Sequence, residues 1–168
     1  MPPIREELED WLRIPSVSTG GGDAEALGRA CDWVLERIEA AGGTAERVSV
    51  NGSHPMAVGE LRASADGAPT VLSYGHYDVQ DPGPLDAWES PPFEPTERGG
   101  RHYARGAADD KGNFLPLLHV ACELAREGDL PVNVRFLVEA RRRWGATLCS
   151  ATCATSLRRS TARSSSTP

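Results

Sequence analysis

The chain has 168 residues, of which 39% are hydrophobic and 25% are charged, and its formal net charge is -6. This length and composition are typical of one soluble globular domain and exclude a disordered or fibrous protein. No stretch approaches the length of a membrane span, and the N-terminus lacks the basic and apolar segments of a secretory leader, so we expect a cytoplasmic protein without a membrane partner.

The charge is divided unevenly along the chain. All 24 acidic residues lie in residues 1–139 together with 12 basic residues, whereas residues 140–168 hold six Arg and no carboxylate side chain. A basic segment can indicate nucleic-acid binding. These Arg residues lie among Ser, Thr, Ala and Cys without aromatic neighbours, so we expect no nucleic-acid partner. The four Cys form no Cys-x-x-Cys pair, which indicates neither a disulfide framework nor a thiolate zinc site.

The spacing of apolar residues predicts an α/β fold. Residues 4–12 and 24–41 repeat apolar positions every three or four residues, which predicts two helices, and Gly42-Gly43 ends the second. Four β-type runs follow, and an amphipathic helix is predicted between the third and the fourth. The predicted strands are 46–50, 56–61, 70–74 and 132–138, and the predicted helix is 111–126. This order is typical of a doubly wound α/β layer.

A first motif, Gly-His-Tyr-Asp-Val-Gln, follows the predicted strand at 70–74 and contains His76 and Asp78. Side chains two residues apart on an extended chain share a face. The carboxylate can therefore orient the imidazole of a metal ligand, and the carboxyl ends of strands are where α/β sheets place ligands. Taken alone, one histidine is more often structural or on the surface, and this interpretation stays open here.

A second motif, Asp109-Asp110-Lys111-Gly112, stands at the start of the predicted helix at 111–126. A carboxylate at such a junction could bridge two cations, whereas the simpler interpretation is capping of the helix N-terminus. The His-x-Asp motif upstream favours the metal interpretation. Lys111 is the only Lys in a chain with 17 Arg, which is a small further indication that this position is special.

With these motifs, residues 1–139 resemble the N-terminal part of the catalytic domain of the di-zinc metallopeptidases, a family of aminoacylases, dipeptidases and glutamate carboxypeptidases. The resemblance implies that His76 is a zinc ligand, that Asp78 is a catalytic residue that orients it, and that Asp109 bridges two Zn²⁺ ions. It also implies a partial three-layer α/β/α fold and a cis peptide bond between Asp109 and Asp110. The Tyr and Gln of the histidine motif are most similar to those of carnosinase-type dipeptidases.

The resemblance extends to Trp88 and Phe93, which match the family's Trp…Pro-Phe element at the mouth of the substrate pocket. Without the resemblance they would be interpreted as ordinary, partly buried aromatic residues. Ala104 is a mild departure, because the family has Tyr-Gly-Arg-Gly where the chain has Tyr-Ala-Arg-Gly. The intact family also has a distal histidine ligand and a lid and dimerisation domain, expected beyond Pro168. A small peptide substrate and, with that lid domain, a homodimer are therefore implied for the intact protein.

The chain departs from the family after Glu139. The family continues Glu-Gly-Glu-Glu-Glu-Val-Gly, and its last two Glu act as general base and zinc ligand, but the chain has Arg142 and Arg143 there. A guanidinium can neither accept a proton nor bind Zn²⁺. GAG codons for Glu read one base late become AGG for Arg, and GTG for Val becomes TGG for Trp. We therefore expect residues 140–168 to be an out-of-frame, unstructured tail.

The sequence thus predicts that the in-frame gene encodes a two-zinc hydrolase that cleaves a dipeptide or related amide through a zinc-activated water. The 168-residue chain itself is expected to be inactive and to bind zinc weakly or not at all. One alternative is a non-catalytic fragment or a partial metal-binding pseudoenzyme. Another is a nucleotide-binding α/β domain, which is disfavoured because no glycine-rich strand-to-helix turn follows an early strand.

Overall fold

A computed structural model describes residues 3–20, 22–49 and 53–140. Within these ranges two helices are followed by five strands, a third helix and a last strand, and helices packed on a sheet confirm the predicted α/β class. The helices are α1 (Ile4–Leu12), α2 (Ala24–Ala40) and α3 (Lys111–Glu127), and the strands are β1 (Thr44–Val48), β2 (Met56–Leu61), β3 (Thr70–His76), β4 (Thr96–Arg98), β5 (Arg101–Tyr103) and β6 (Asn133–Glu139). None of the helices in these ranges has the length and apolar character needed to cross a membrane.

The main sheet has the strand order β1-β2-β6-β3. β3 runs parallel to β6, and α3 connects them, so this unit has the predicted strand-helix-strand order. β2 is antiparallel to both β1 and β6, which makes the sheet mixed. The physical reason is the short connection between β1 and β2, which allows an antiparallel hairpin but is too short for a parallel crossover.

The core lies between the helices and one face of this sheet. Trp11 of α1 stacks on Trp33 of α2 with the ring centroids 4.7 Å apart, and Phe114 of α3 meets Phe136 of β6 edge-on at 6.2 Å. The alternation of side chains along β3 places Leu72 and Tyr74 on the opposite face. Their exposed fractions are 51% and 48%, so this face is less well covered by the described residues.

Most predicted boundaries agree with the structure to within two residues. β1 starts at Thr44, because its pairing with β2 begins directly after the glycine pair that ends α2. The prediction for this strand, 46–50, is therefore displaced by two residues. The β4–β5 hairpin is not predicted, since strands of three residues are too short to show a period. Of the predicted tail, Ala140 is described and buried, and residues 141–168 lie outside the described residues.

A buried ionic cluster joins the three helices. Glu7 of α1 is 3% exposed, and its carboxylate lies 2.7 Å from Nδ1 of His119 on α3. The same carboxylate lies 3.5 Å from Nε of Arg37 on α2, whose guanidinium stacks 3.1 Å above the ring of Trp33. A buried carboxylate is strongly desolvated and is tolerated only with such partners, so the cluster ties the relative positions of the helices to one side chain.

Replacing Glu7 with Ala should lower the free energy of unfolding by about 1–3 kcal/mol, because His119 loses the acceptor at its Nδ1 and Arg37 keeps only Asp10 as an anionic partner. Urea unfolding followed by circular dichroism measures this change. Glu6→Ala is the matched control, since Glu6 is an exposed glutamate in the same turn of α1, and its loss should change stability by no more than about 0.5 kcal/mol. Equal unfolding midpoints for the two variants would contradict the role given to Glu7.

Candidate metal site

The side chains of His76, Asp78 and Asp109 meet at the carboxyl end of β3. His76 is the last residue of the strand, and its Nδ1 lies 3.1 Å from Oδ1 of Asp78. On the other side of the ring, Nε2 lies 2.9 Å from Oδ1 of Asp109. The convergence expected from the sequence is therefore present, while the roles of the three residues as metal ligands and catalytic residue stay predictions.

The surroundings of His76 fix which ring nitrogen carries a proton. Nδ1 faces two acceptors, Oδ1 of Asp78 and the backbone oxygen of the same residue, the second also at 3.1 Å. Nδ1 must therefore donate. Nε2 donates to Oδ1 of Asp109 when the ring is protonated and holds a lone pair when the ring is neutral, which is the form that a metal ligand needs. The hydrogen bond with Asp78 raises the pKa of His76 to about 9, and burial partly opposes this rise. Imidazoles that bind metals are held in the same way.

Asp78 is 4% exposed, and its second oxygen, Oδ2, accepts a hydrogen bond from the Ser18 hydroxyl. Ser18 belongs to the connection between α1 and α2, where Val17 pairs in parallel with Val79. Sequence reasoning missed this contact. The polar Ser-Val-Ser-Thr run after Pro15 is a weak signal of it, because such a run is equally common in ordinary connections between helices.

Capping of the helix N-terminus is the simpler interpretation of the Asp-Asp motif. The side chain of Asp110, however, makes no capping hydrogen bond to α3. Its Oδ2 instead accepts from the backbone N–H of His76 at 3.2 Å, while its backbone oxygen accepts from the N–H of Phe114 at 2.8 Å. The Asp109-Asp110 peptide bond is cis, as the resemblance implies. Asp110 thus joins the start of α3 to the end of β3, and the carboxylate of Asp109 faces His76.

Lys111 is fully buried, and its ammonium group donates to the backbone oxygens of Trp11 at 2.8 Å and Ile14 at 2.9 Å. These oxygens lie at the C-terminal end of α1, where a cation satisfies carbonyl groups that lack helical partners. Burial lowers the pKa of Lys111 to about 7, and the charge of Asp78 opposes this. Lys111 therefore connects α1 to the start of α3, and a compact ammonium suits the position better than the larger, planar guanidinium of Arg.

A cavity of about 260 Å³ opens beside these residues. Its lining is formed by Ser18, Thr19, His76, Asp78, Val79, Gln80 and Asp109. Among the residues that the structure describes, Trp88 and Phe93 do not line it. The indole N–H of Trp88 donates to the oxygen of Pro82 at 3.0 Å, and the ring lies 5.3 Å from the guanidinium of Arg105. The assignment of Trp88 and Phe93 to the mouth of a substrate pocket stays a prediction.

The described residues supply part of a metal site. An imidazole nitrogen and a carboxylate oxygen are ligand types that Zn²⁺ prefers, and zinc sites use three or four protein ligands. Within residues 3–20, 22–49 and 53–140, no group of three His, Cys, Asp or Glu is arranged to hold one ion. His76 and Asp109 therefore fit as two ligands of a set that these residues do not complete.

The structure is thus an α/β protein whose mixed sheet carries an oriented histidine and a facing carboxylate at its carboxyl edge. Residues 72–141 match peptidase family M20/M25/M40. This match confirms, for residues 72–141, the resemblance drawn from the motifs. The match begins within β3 and includes His76, Asp78 and Asp109.

Solved structures of M20-type peptidases have the same fold. Human carnosine dipeptidase 1 superposes with a TM-score of 0.78 and 28% identity over 89% of this chain and 34% of that protein. The M20 family metallo-carboxypeptidase Sso-CP2 from Sulfolobus solfataricus has a TM-score of 0.72 and 31% identity, over 83% of this chain and 31% of that protein. The di-peptidase Dug1p from Saccharomyces cerevisiae has a TM-score of 0.76 and 24% identity, over 90% of this chain and 34% of that protein. The chain thus spans about a third of the length of these proteins.

Gly75 allows α3 to approach the end of β3. A Cβ atom at this position would lie 2.4 Å from Cδ2 of Phe114 and 2.8 Å from Oδ2 of Asp110. Both distances are far below van der Waals contact. The glycine before His76 is therefore required by the packing of α3, and through Asp110 it also affects the position of the candidate site.

Gly75→Ala should destabilise the protein by about 1–3 kcal/mol, because the added methyl group overpacks the contact with Phe114. Urea unfolding measures the change. Gly28→Ala is the matched control, since its Cβ would meet Arg47 at an ordinary 3.7 Å and Ala favours the interior of α2 by roughly 0.5–1 kcal/mol over Gly. The packing argument is wrong if the two substitutions change stability in the same direction by similar amounts.

Proposed function

We propose that the protein, in its intact reading frame, is a zinc-dependent peptidase that hydrolyses a dipeptide or a related amide. The observation that carries this proposal is the orientation of His76. Its Nδ1 donates to Asp78 while Nε2 faces Asp109 across the edge of a cavity. The match of residues 72–141 to the M20 family supports the reaction class, and the similarity to a dipeptidase and to a metallo-carboxypeptidase supports a short peptide substrate.

His76 and Asp109 would hold the metal through Nε2 and the carboxylate. A Zn²⁺ ion bound there would supply Lewis acidity and lower the pKa of a bound water molecule. Asp78 keeps the proton on Nδ1 of His76, so that Nε2 remains the ligating atom. The resemblance implies that Asp109 would bridge two ions, and its side chain is 81% exposed at the edge of the cavity.

The substrate is proposed to be a small peptide. The cavity of about 260 Å³ has room for a small ligand, and the side chains of Ser18, Thr19 and Gln80 offer it hydrogen-bonding groups. The cytoplasmic location, the absence of a nucleic-acid or membrane partner, and a homodimer formed with the family's lid domain stay predictions from the sequence and the resemblance.

We also infer that the 168-residue chain is inactive because residues 140–168 are translated out of frame. The support is the chemistry of Arg142 and Arg143, which stand where the family has a general base and a zinc ligand. A guanidinium in these roles can neither accept the proton of a water molecule nor bind Zn²⁺. The same arginines favour a second candidate function for this chain, a partial metal binder without catalysis.

The 168-residue chain should show no hydrolysis of simple dipeptides with added Zn²⁺ and weak or no binding of Zn²⁺ in a calorimetric titration. A gene with the frame restored after the codon of Glu139 should produce a protein that hydrolyses dipeptides and binds Zn²⁺, because the missing carboxylates return. Tight binding of two ions with turnover by the 168-residue chain would overthrow the out-of-frame interpretation. Failure of the frame-restored protein to bind Zn²⁺ would remove the proposed function.

In the frame-restored protein, Asp78→Asn should weaken Zn²⁺ binding by about 10- to 100-fold, the usual cost of removing the carboxylate that orients a ligating histidine. His76→Ala removes a ligand and should weaken binding at least as much. His102→Ala is the control, because His102 is partly buried beside Glu9 and does not line the cavity. Equal zinc affinities for His76→Ala and His102→Ala would exclude His76 as a ligand.

A further inference from the structure

The connection between α1 and α2 contributes a residue to the candidate site. We propose that Ser18 is a positioning residue, whose hydroxyl holds the carboxylate of Asp78 in the rotation that orients the ring of His76. This inference rests on the proposed function for the importance of the ring, but the contact itself is a property of the metal-free chain. The residues before α2 thereby become part of the site.

The two oxygens of Asp78 have separate donors. Oδ1 faces Nδ1 of His76 at 3.1 Å, and Oδ2 accepts from the hydroxyl of Ser18. Asp78 is 4% exposed, so solvent has little access to replace a lost donor. Without the hydroxyl, Oδ2 would be a desolvated acceptor, and the carboxylate would gain by rotating towards another donor. Such a rotation changes the hydrogen bond that fixes the ring of His76.

Ser18 is itself held by the backbone. Its N–H donates to the oxygen of Val79 at 3.1 Å, and the N–H of Val79 donates to the oxygen of Ser16 at 2.8 Å. One residue further on, the Thr19 hydroxyl accepts from the N–H of Asp81 at 3.1 Å. This ladder places the segment beside the residues that follow β3, so the hydroxyl of Ser18 has a defined position relative to Asp78.

Ser16 provides a matched comparison within the same ladder. Its hydroxyl is buried and donates to the backbone oxygen of Tyr77 at 2.7 Å rather than to Asp78. Loss of either hydroxyl removes one buried hydrogen bond from neighbouring residues. A purely structural role predicts similar effects for both serines, whereas a positioning role predicts an effect on His76 from Ser18 alone.

The experiment compares nuclear magnetic resonance spectra of the metal-free 168-residue chain with ¹⁵N-labelled histidine at one fixed pH. His76→Gln assigns the resonances of the His76 ring. Ser18→Ala and the nearly isosteric Ser18→Cys should shift the signals of Nδ1 and its proton, because the acceptor geometry at Asp78 changes. Ser18→Thr, which keeps the hydroxyl, should restore them, and Ser16→Ala should leave them unchanged. Backbone amide spectra establish that each variant is folded.

The inference is overturned if the His76 signals of folded Ser18→Ala or Ser18→Cys equal those of the unsubstituted chain. It is also overturned if Ser16→Ala moves them by as much, since both serines would then act only on the fold. Because no metal is present, this result is separate from the proposed function. A frame-restored protein without zinc affinity would remove the function and leave the orientation of His76 by Ser18 intact.

Discussion

The parallel pairing of β3 with β6 determines where every part of the candidate site lies. In this register His76 stands beside Glu139, so the histidine motif and the point where the sequence departs from the M20 pattern meet at one edge of the sheet. α3 begins at this same edge, so Asp109 and Asp110, which directly precede it, lie beside the end of β3, and α3 then leads the chain to the start of β6. Side chains far apart in sequence become neighbours because one strand pair requires it.

Burial of charged groups around this edge explains many of the contacts. Asp78, Lys111 and Glu7 are each less than 5% exposed, and a charge that loses its water must find other partners. Asp78 obtains them from Ser18 and His76, and Lys111 obtains them from the end of α1. These polar contacts therefore depend on how the helices pack, because their partners come from α1 and from the segment that follows it.

Sequence reasoning reached the parts of this protein that depend on local pattern. The period of apolar residues predicts α1 and β2 with their observed limits, and the His-x-Asp spacing predicts the contact between His76 and Asp78. These features involve residues close together in the chain. The resemblance of the motifs extended the prediction to Asp109, which lies 33 residues from His76.

The parts that were missed depend on partners that no local pattern identifies. Ser18 binds a carboxylate 60 residues away, and Asp110 turns its side chain from the expected capping position to an N–H 34 residues away. The buried position of Lys111 is a third case, because its partners lie about 100 residues upstream. In each case the side chain type permits several local structures, and the tertiary contact decides between them.

The position of β6 in the sheet also has a consequence for how the chain folds during synthesis. β6 is the last described strand to leave the ribosome, yet it lies between β2 and β3 and pairs with both. Until residue 139 has emerged, those two strands lack their common neighbour, and the helices have only part of a surface to pack on. Contacts between such distant segments form slowly. Completion of the sheet therefore waits for the seven residues that immediately precede the change in the sequence.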